Sequence, residues 1–331
     1  METRKLGATG PSASALGLGC MGMSDLYGPA DRAQSIATIH AALAAGINLL
    51  DTGDFYGMGH NELLIRDALV GRSRHQAILS VKFGAMRGPD GAWLGIDTRP
   101  AAIKSALAYS LRRLGTDYVD IYRPARLDPD VPIEDTVGAI QQLIEAGYVR
   151  HIGLSEVGAA TLRRAAAVHP IVDVQIEYSL LSRGPEQALL PACRELGVAI
   201  TAYGVLGRGL LSGRWTKERE LAANDVRKSS PRFGGENLER NLALVEALRE
   251  VAEAEGKSVV AIAVAWLLAR GTDVIPLIGA RRPDRLAEAL AGHGFTLGAE
   301  ALAKIEAAIP PDAAAGTRYP EAQMAHLDSE R

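Results

Sequence analysis

Eight short β-type runs recur along this chain, each separated from the next by a longer stretch. They span residues 15–20, 48–51, 77–82, 119–122, 152–155, 172–177, 199–203 and 274–278. Several are almost wholly apolar, the pattern of parallel strands buried on both faces. Helical periodicity fills much of the intervening chain, over 32–45, 61–69, 101–114, 133–146, 159–168, 186–196 and 241–255. Gly46, Gly115, Gly147 and Gly197 follow four of these stretches, where a left-handed cap is cheapest. Repeated β–α units without a break in composition predict an α/β fold, a single (β/α)8 barrel domain over residues 1–331. Turn-formers Gly7 and Gly10-Pro11 predict an N-terminal hairpin within residues 1–14. Residues 310–331 read as an irregular tail that reaches over the C-terminal face. Two long connections, 83–99 and 215–238, follow strand ends on that face, where barrel enzymes place their sites.

Charge and composition narrow the partners. The net charge is −3, which offers no electrostatic footprint for nucleic acid or an anionic membrane. Only two cysteines occur, Cys20 and Cys193, and both lie in apolar patterns as small core residues do. No apolar run approaches the roughly 18 residues of a membrane span, and the start Met1-Glu2-Thr3-Arg4-Lys5 lacks the apolar stretch of a signal. A cytoplasmic protein is the expectation. The seven histidines lack ligand spacing, so no metal site is expected. Composition leaves the oligomeric state open.

Gly17-Leu18-Gly19-Cys20-Met21-Gly22 matches the dinucleotide fingerprint G-x-G-x-x-G after a β-type run. That fold needs a helix to open at the third glycine. Here Met23 to Pro29 intervenes and the helix starts near Asp31, so small residues leaving the first barrel strand are the better reading. The backbone of this loop, Met21 included, is free to lie against a cofactor.

The chemistry concentrates after the second and third runs. Asp51 ends one and Lys82 the next, with Tyr56 just beyond Asp51. A lysine at the end of a buried strand is costly unless paired or at a site, and Asp51 is the obvious partner. A cation beside Tyr56 would lower its pKa and make it a usable acid. The spacing alone equally fits a structural Asp–Lys pair with Tyr56 as a packed aromatic.

The segment DTGDFYGMGHNE together with Lys82 resembles the signature of the aldo-keto reductases. So do LGTDYVDIY, IGLSEVG, VQIEYS, AYGVLGRGLLSG and IPLIGARRPDRLAEA, spread along nearly the whole chain. The resemblance implies reduction of an aldehyde or ketone with NADPH, Tyr56 giving the proton and Lys82 and Asp51 tuning it. It also exposes a gap. The family usually reads Asp-Leu-Tyr-Gln-Leu-His where this chain has Asp120-Ile121-Tyr122-Arg123-Pro124-Ala125, so Ala125 stands at the place of the substrate-orienting histidine. Alanine neither donates a hydrogen bond nor titrates. Water, or a donor such as Arg123, Arg126 or His60, would have to take over, or turnover would be slow.

By the same resemblance Tyr203 stacks on the nicotinamide, and Ser155 and Gln175 bind its carboxamide. Glu156, where asparagine is common, could accept only from the amide N–H. Leu206, Arg208 and Gly209 cover the pyrophosphate. Gly279, Arg281 and Arg285 open a helix after the eighth run; the two arginines suit the 2′-phosphate of NADPH, and Glu288 meets the adenine. Phe55, Trp93, Arg123 and Phe233 are candidates for the substrate pocket. Two other readings fit the residues: a slow or inactive NADPH-binding redox sensor, and a Schiff-base aldolase working through Lys82.

Overall fold

The structure is a computed structural model that describes residues 1–24 and 26–330; Asp25, in the loop that breaks the glycine fingerprint, and Arg331 lie outside the described residues. Strands β3 (Gly17–Gly19), β4 (Leu49–Gly53), β5 (Ile78–Phe83), β8 (Val119–Pro124), β9 (Val149–Ser155), β10 (Ile171–Glu177), β11 (Ala199–Tyr203) and β12 (Val274–Gly279) close into a parallel barrel in chain order. These are the eight runs expected from the sequence. The intervening helices include α1 (Arg32–Ala44), α2 (His60–Leu69), α3 (Pro100–Leu114), α4 (Ile133–Glu145), α5 (Ala159–Val168) and α6 (Leu189–Leu196). The glycine fingerprint leads into a short turn, Met21–Met23, and α1 begins only at Arg32, capped by Asp31 accepting from Gln34 N at 2.7 Å. A side-chain acceptor there satisfies one of the amides the first turn leaves unpaired. At the other ends Gly115 (φ 64°) and Gly197 (φ 66°) close α3 and α6 in the left-handed conformation.

Strands β1 (Thr3–Lys5) and β2 (Ser12–Ser14) form the N-terminal hairpin. Its Leu6 and Ala13 pack with Leu49, Ile78, Ile121, Val172, Ala199, Ile275 and Leu277, a cluster drawn from six different barrel strands. The hairpin is therefore a plug under the barrel, fastened by Arg4 Nη1 donating to the carbonyls of Gly271 and Val274 at 2.9 and 2.8 Å.

Higher in the barrel the filling is polar. Arg123 and Asp173 are fully buried and paired at 2.9 Å. Thr201 Oγ1 donates to Asp173 at 2.6 Å, and Arg123 Nη2 donates to Ser80 Oγ at 3.0 Å. Gly153 makes room for the pair: a Cβ there would lie 2.5 Å from Asp173 Oδ1 and 3.0 Å from Arg123 Cζ.

Three features lay outside the sequence expectation. The connection after β5 carries its own antiparallel pair, β6 (Ala85–Arg87) and β7 (Trp93–Ile96). Helix α7 (Gly235–Ala254) is followed by α8 (Val259–Leu268), which packs on β12 and on α9 (Pro283–Leu290). Helix α10 (Ala299–Ala308) packs on α7, and the tail ends in the short α11 (Glu321–Met324). Among the described residues no helix is long and apolar enough to cross a membrane.

Candidate active site

Asp51 and Lys82 lie on neighbouring strands at the C-terminal end of the barrel. Lys82 Nζ donates to Asp51 Oδ2 at 2.5 Å, with both side chains buried. Asp51 Oδ1 accepts twice more, from Gln175 Nε2 at 2.7 Å and Ser80 Oγ at 3.1 Å. Burial drives the Lys82 pKa down and the Asp51 charge opposes it.

Tyr56 is buried above this pair, with Lys82 Nζ 5.3 Å from its ring centroid. The turn after it is tight because Gly57, Met58 and Gly59 all take positive φ, of 57°, 54° and 94°. A Cβ at 59 would also displace the Arg113 side chain, whose Cδ lies 2.6 Å from that position. Phe55 packs edge-on against Tyr56 at 4.7 Å. The expectation of a lowered Tyr56 pKa is reversed. Burial first, and Asp51 second, push it well above its usual value; the nearby cation that opposes them most is Arg126. Tyr56 therefore holds its proton firmly at neutral pH.

Behind Tyr56 lies a second charged group. Glu62 is fully buried and paired with Arg113. Asp54 accepts no such partner on Oδ1, and burial followed by the Glu62 charge raises its pKa to about 7. His60 is exposed at the start of α2, its Nδ1 2.8 Å from Ser24 Oγ.

Ala125 is buried, its N–H bonded to Phe83 O at 2.8 Å. Of the three donors considered for the histidine's task, Arg123 is excluded from the pocket: its guanidinium is spent inside the barrel on Asp173, Ser80 and Thr201. Arg126 is placed at the site. It donates to Ala125 O at 2.6 Å and to Tyr319 Oη at 3.2 Å.

Tyr319 belongs to the C-terminal tail, which contributes residues that the sequence reading missed. Arg318 forks onto Glu156 at 3.0 and 2.6 Å, and Ser329 Oγ donates to the same carboxylate at 2.8 Å. Tyr203 Oη donates to Glu156 Oε1 at 2.7 Å and lies 2.8 Å from Tyr319 Oη. Burial alone would raise the Glu156 pKa; the charge and hydrogen bonds of Arg318 outweigh it and bring it to about 2. Glu156 is thus an anchor for the tail, with its oxygens already occupied, and is no free acceptor for a carboxamide. Its backbone φ of 55° turns the chain toward that anchor.

Ser155 differs. Its Oγ is buried and meets no partner among the described residues. Gly207 (φ 53°), Arg208 (φ 55°) and Gly209 (φ 106°) form a tight loop after β11 that starts at Leu206. Arg208 pairs with Glu177 at 3.0 Å and lies 4.2 Å over the Tyr319 ring. Two further loops meet beside it, Val226 N–H donating to Leu26 O at 2.9 Å. Arg281 donates to the carbonyls of Tyr27 and Pro29 at 3.2 and 3.1 Å, so it braces the loop that follows Met21. Gly279 ends β12 in open space. Arg285 is exposed, with carboxylates no closer than 3.7 Å, and Glu288 pairs with Arg214 at 2.6 Å. A cavity of about 270 Å³ lies beside Glu288 and Arg214, away from Tyr56.

The remaining pocket candidates divide. Phe55 touches Tyr56. Phe233 packs 4.7 Å from Trp215, and Trp93, on β7, is 53% exposed. Among the described residues no cluster suited to a metal occurs.

Comparison with known proteins agrees along the chain. A model described as the aldo/keto reductase family matches residues 15–310. A probable aldo-keto reductase of Glycine max is 39% identical over 318 residues, 95% of this chain and 91% of that protein. The solved structure of a glycerol dehydrogenase from Gluconobacter oxydans superposes with a TM-score of 0.84 at 31% identity, covering 93% of this chain and 96% of the other. An aldo-keto reductase from Bacillus halodurans in its holo form gives 0.76 at 31% identity, with 97% and 99% covered.

Proposed function

The chain belongs to the aldo/keto reductase family, oxidoreductases acting on carbonyl and alcohol groups, and from that premise we propose that it reduces an aldehyde or ketone to the alcohol with NADPH. The observation that carries the reading is the buried Lys82–Asp51 contact at 2.5 Å beneath Tyr56. Tyr56 is the proton donor. Lys82 shares its positive charge between Asp51 and the space under the phenol, and Asp51 is in turn fixed by Gln175 and Ser80. As Tyr56 gives up its proton, the ammonium stabilises the phenolate.

A nicotinamide dinucleotide, when bound, supplies the hydride that the carbonyl carbon accepts. The residues fit such a group at Ser155, whose buried hydroxyl lacks a partner, and at Tyr203, which ends β11. Gln175 uses its amide N–H on Asp51 and keeps its oxygen for a carboxamide N–H. Arg281 and Arg285 at the start of α9 favour a 2′-phosphate.

The test is Tyr56→Phe. Carbonyl reduction should fall by at least ~10³ while NADPH binding, read by fluorescence titration, holds. Reduction at the wild-type rate would end the assignment of Tyr56. The redox-sensor reading draws support from the tail bonded across Tyr203; single-turnover oxidation of bound NADPH by aldehydes separates the two. Borohydride trapping without an adduct would dispose of the aldolase reading.

A further inference from the structure

Charges around the tail do not balance. Four guanidiniums gather there: Arg208, Arg232, Arg318 and Arg126. Three carboxylates face them. Glu177 takes Arg208 at 3.0 Å and Arg232 at 3.3 Å, Glu156 takes Arg318 at 2.6 Å, and Glu330 takes Arg318 again at 2.6 Å. Arg126 pairs with no carboxylate among the described residues. Its bonds go to a carbonyl and a phenol, Ala125 O and Tyr319 Oη, and occupy two of the five N–H donors a guanidinium carries.

Position makes this cation informative. Arg126 follows Ala125, at the end of the strand that neighbours the one carrying Lys82. Through Tyr319 it is linked to Tyr203 by contacts of 3.2 and 2.8 Å. Its charge also acts on Tyr56 and Lys82. The charge of Glu156 reaches Arg126, but the oxygens of that carboxylate are taken by Arg318, Tyr203 and Ser329. A partly buried guanidinium with no carboxylate in contact leaves desolvation incompletely offset, and an anion arriving at the site would offset it further. Arginine's planar fork matches a carboxylate in two parallel bonds.

We propose that Arg126, held by Tyr319, receives the carboxylate of the substrate, and that the substrate class is the 2-oxo acids. This rests on the reductase reading. The carboxylate docks on the unused donors of Arg126 and leaves the adjacent carbonyl to Tyr56, so orientation that a histidine would give through the carbonyl oxygen comes instead from the neighbouring group. The redox balance is unchanged: the carbonyl carbon gains hydride from reduced nicotinamide, its oxygen gains the Tyr56 proton, and the carboxylate leaves as it came, in a 2-hydroxy acid.

The test compares pyruvate with butane-2,3-dione, its neutral counterpart of equal heavy-atom count. The wild-type enzyme should favour pyruvate in kcat/KM by at least ~10-fold, the scale of one charge-assisted pair. Arg126→Met should abolish that preference, chiefly through KM for pyruvate, and Arg126→Lys should restore part of it. Binding is read separately by calorimetric titration of oxamate into enzyme saturated with NADP⁺, where Arg126→Met should weaken the interaction at least ~10-fold. Reduction of the dione with no preference for pyruvate would overturn the proposal and leave the reductase reading standing. If neither compound is reduced while aldehydes oxidise bound NADPH, the 2-oxo acid class is overturned and the reductase reading stands. If no carbonyl is reduced, the reductase reading fails, and oxamate binding still decides the anion site: Arg126-dependent binding supports it and none overturns it. Thermal melts of both variants show whether the fold is kept, and Tyr319→Phe, which removes only a hydroxyl, gives a second, milder loss of the same preference.

Discussion

Two carboxylates near the site, Asp54 half-buried and Glu156 fully buried, answer to pH in opposite directions. Asp54 has its pKa raised to about 7, by burial first and Glu62 second. A raised acid binds its proton more tightly folded than unfolded, so it stabilises the fold least at high pH, and stability drops progressively as pH climbs from near 4 through 7. Glu156 has its pKa lowered to about 2, Arg318 outweighing burial. Its contribution is complete above pH 4.5 and fades as pH falls toward 2. Asp54→Asn should therefore melt higher than wild type at pH 8 and about equally at pH 4, the gap following ~1.4 kcal/mol per pKa unit at most. Thermal unfolding across that range checks it; a constant offset at all pH values would mean the side chain acts by packing alone. Glu156 also marks a boundary of sequence reading. Its replacement of the usual asparagine was visible, but its partner Arg318 is 162 residues away, and nothing in the local pattern of either residue points to the other.

Among the elements, the tail is the one tied to the site by side chains rather than by a buried apolar face. Arg318→Ala would leave Glu156 with Tyr203, Ser329 and the Glu177 N–H, and breaking a buried pair typically costs ~3–5 kcal/mol when the remaining charge stays unpaired. We expect segment 317–330 to exchange its amide hydrogens and to be cut by protease far faster in the variant, with α3 to α5 unaffected; equal protection of the tail would show that its backbone contacts suffice. The strands were legible because two-sided burial writes a short apolar run. Helix α8 was not, for the same reason: nine of its ten residues are buried, so no polar face marks a 3.6-residue period. The β6–β7 pair was missed because Met86, Trp93 and Leu94 are exposed and leave no alternation to read.

At the scale of the molecule the two ends of the barrel are closed differently, by an apolar hairpin below and a charged tail above. Removing residues 1–14 uncovers the cluster of Leu49, Ile78, Ile121, Val172, Ala199, Ile275 and Leu277. Losing Leu6 alone exposes apolar surface worth ~1.5–3 kcal/mol, so the truncated chain should unfold at clearly lower urea concentration. Tyr56 chemistry, at the opposite mouth, should survive wherever the barrel stays folded; a loss of activity without loss of stability would show the hairpin to be more than a plug.

Between those ends, Gly153, Arg123 and Asp173 bind one another's evolutionary futures. Any side chain at 153 collides with the pair, and loss of Arg123 alone strands a carboxylate in the barrel. Single substitutions within the pair are therefore costly, and a lineage escapes by exchanging Arg123 and Asp173 together for uncharged residues, after which Ile121, 3.0 Å from a Cβ at position 153, is the neighbour left to limit that site. Relatives compared at these three positions should change as a set or not at all.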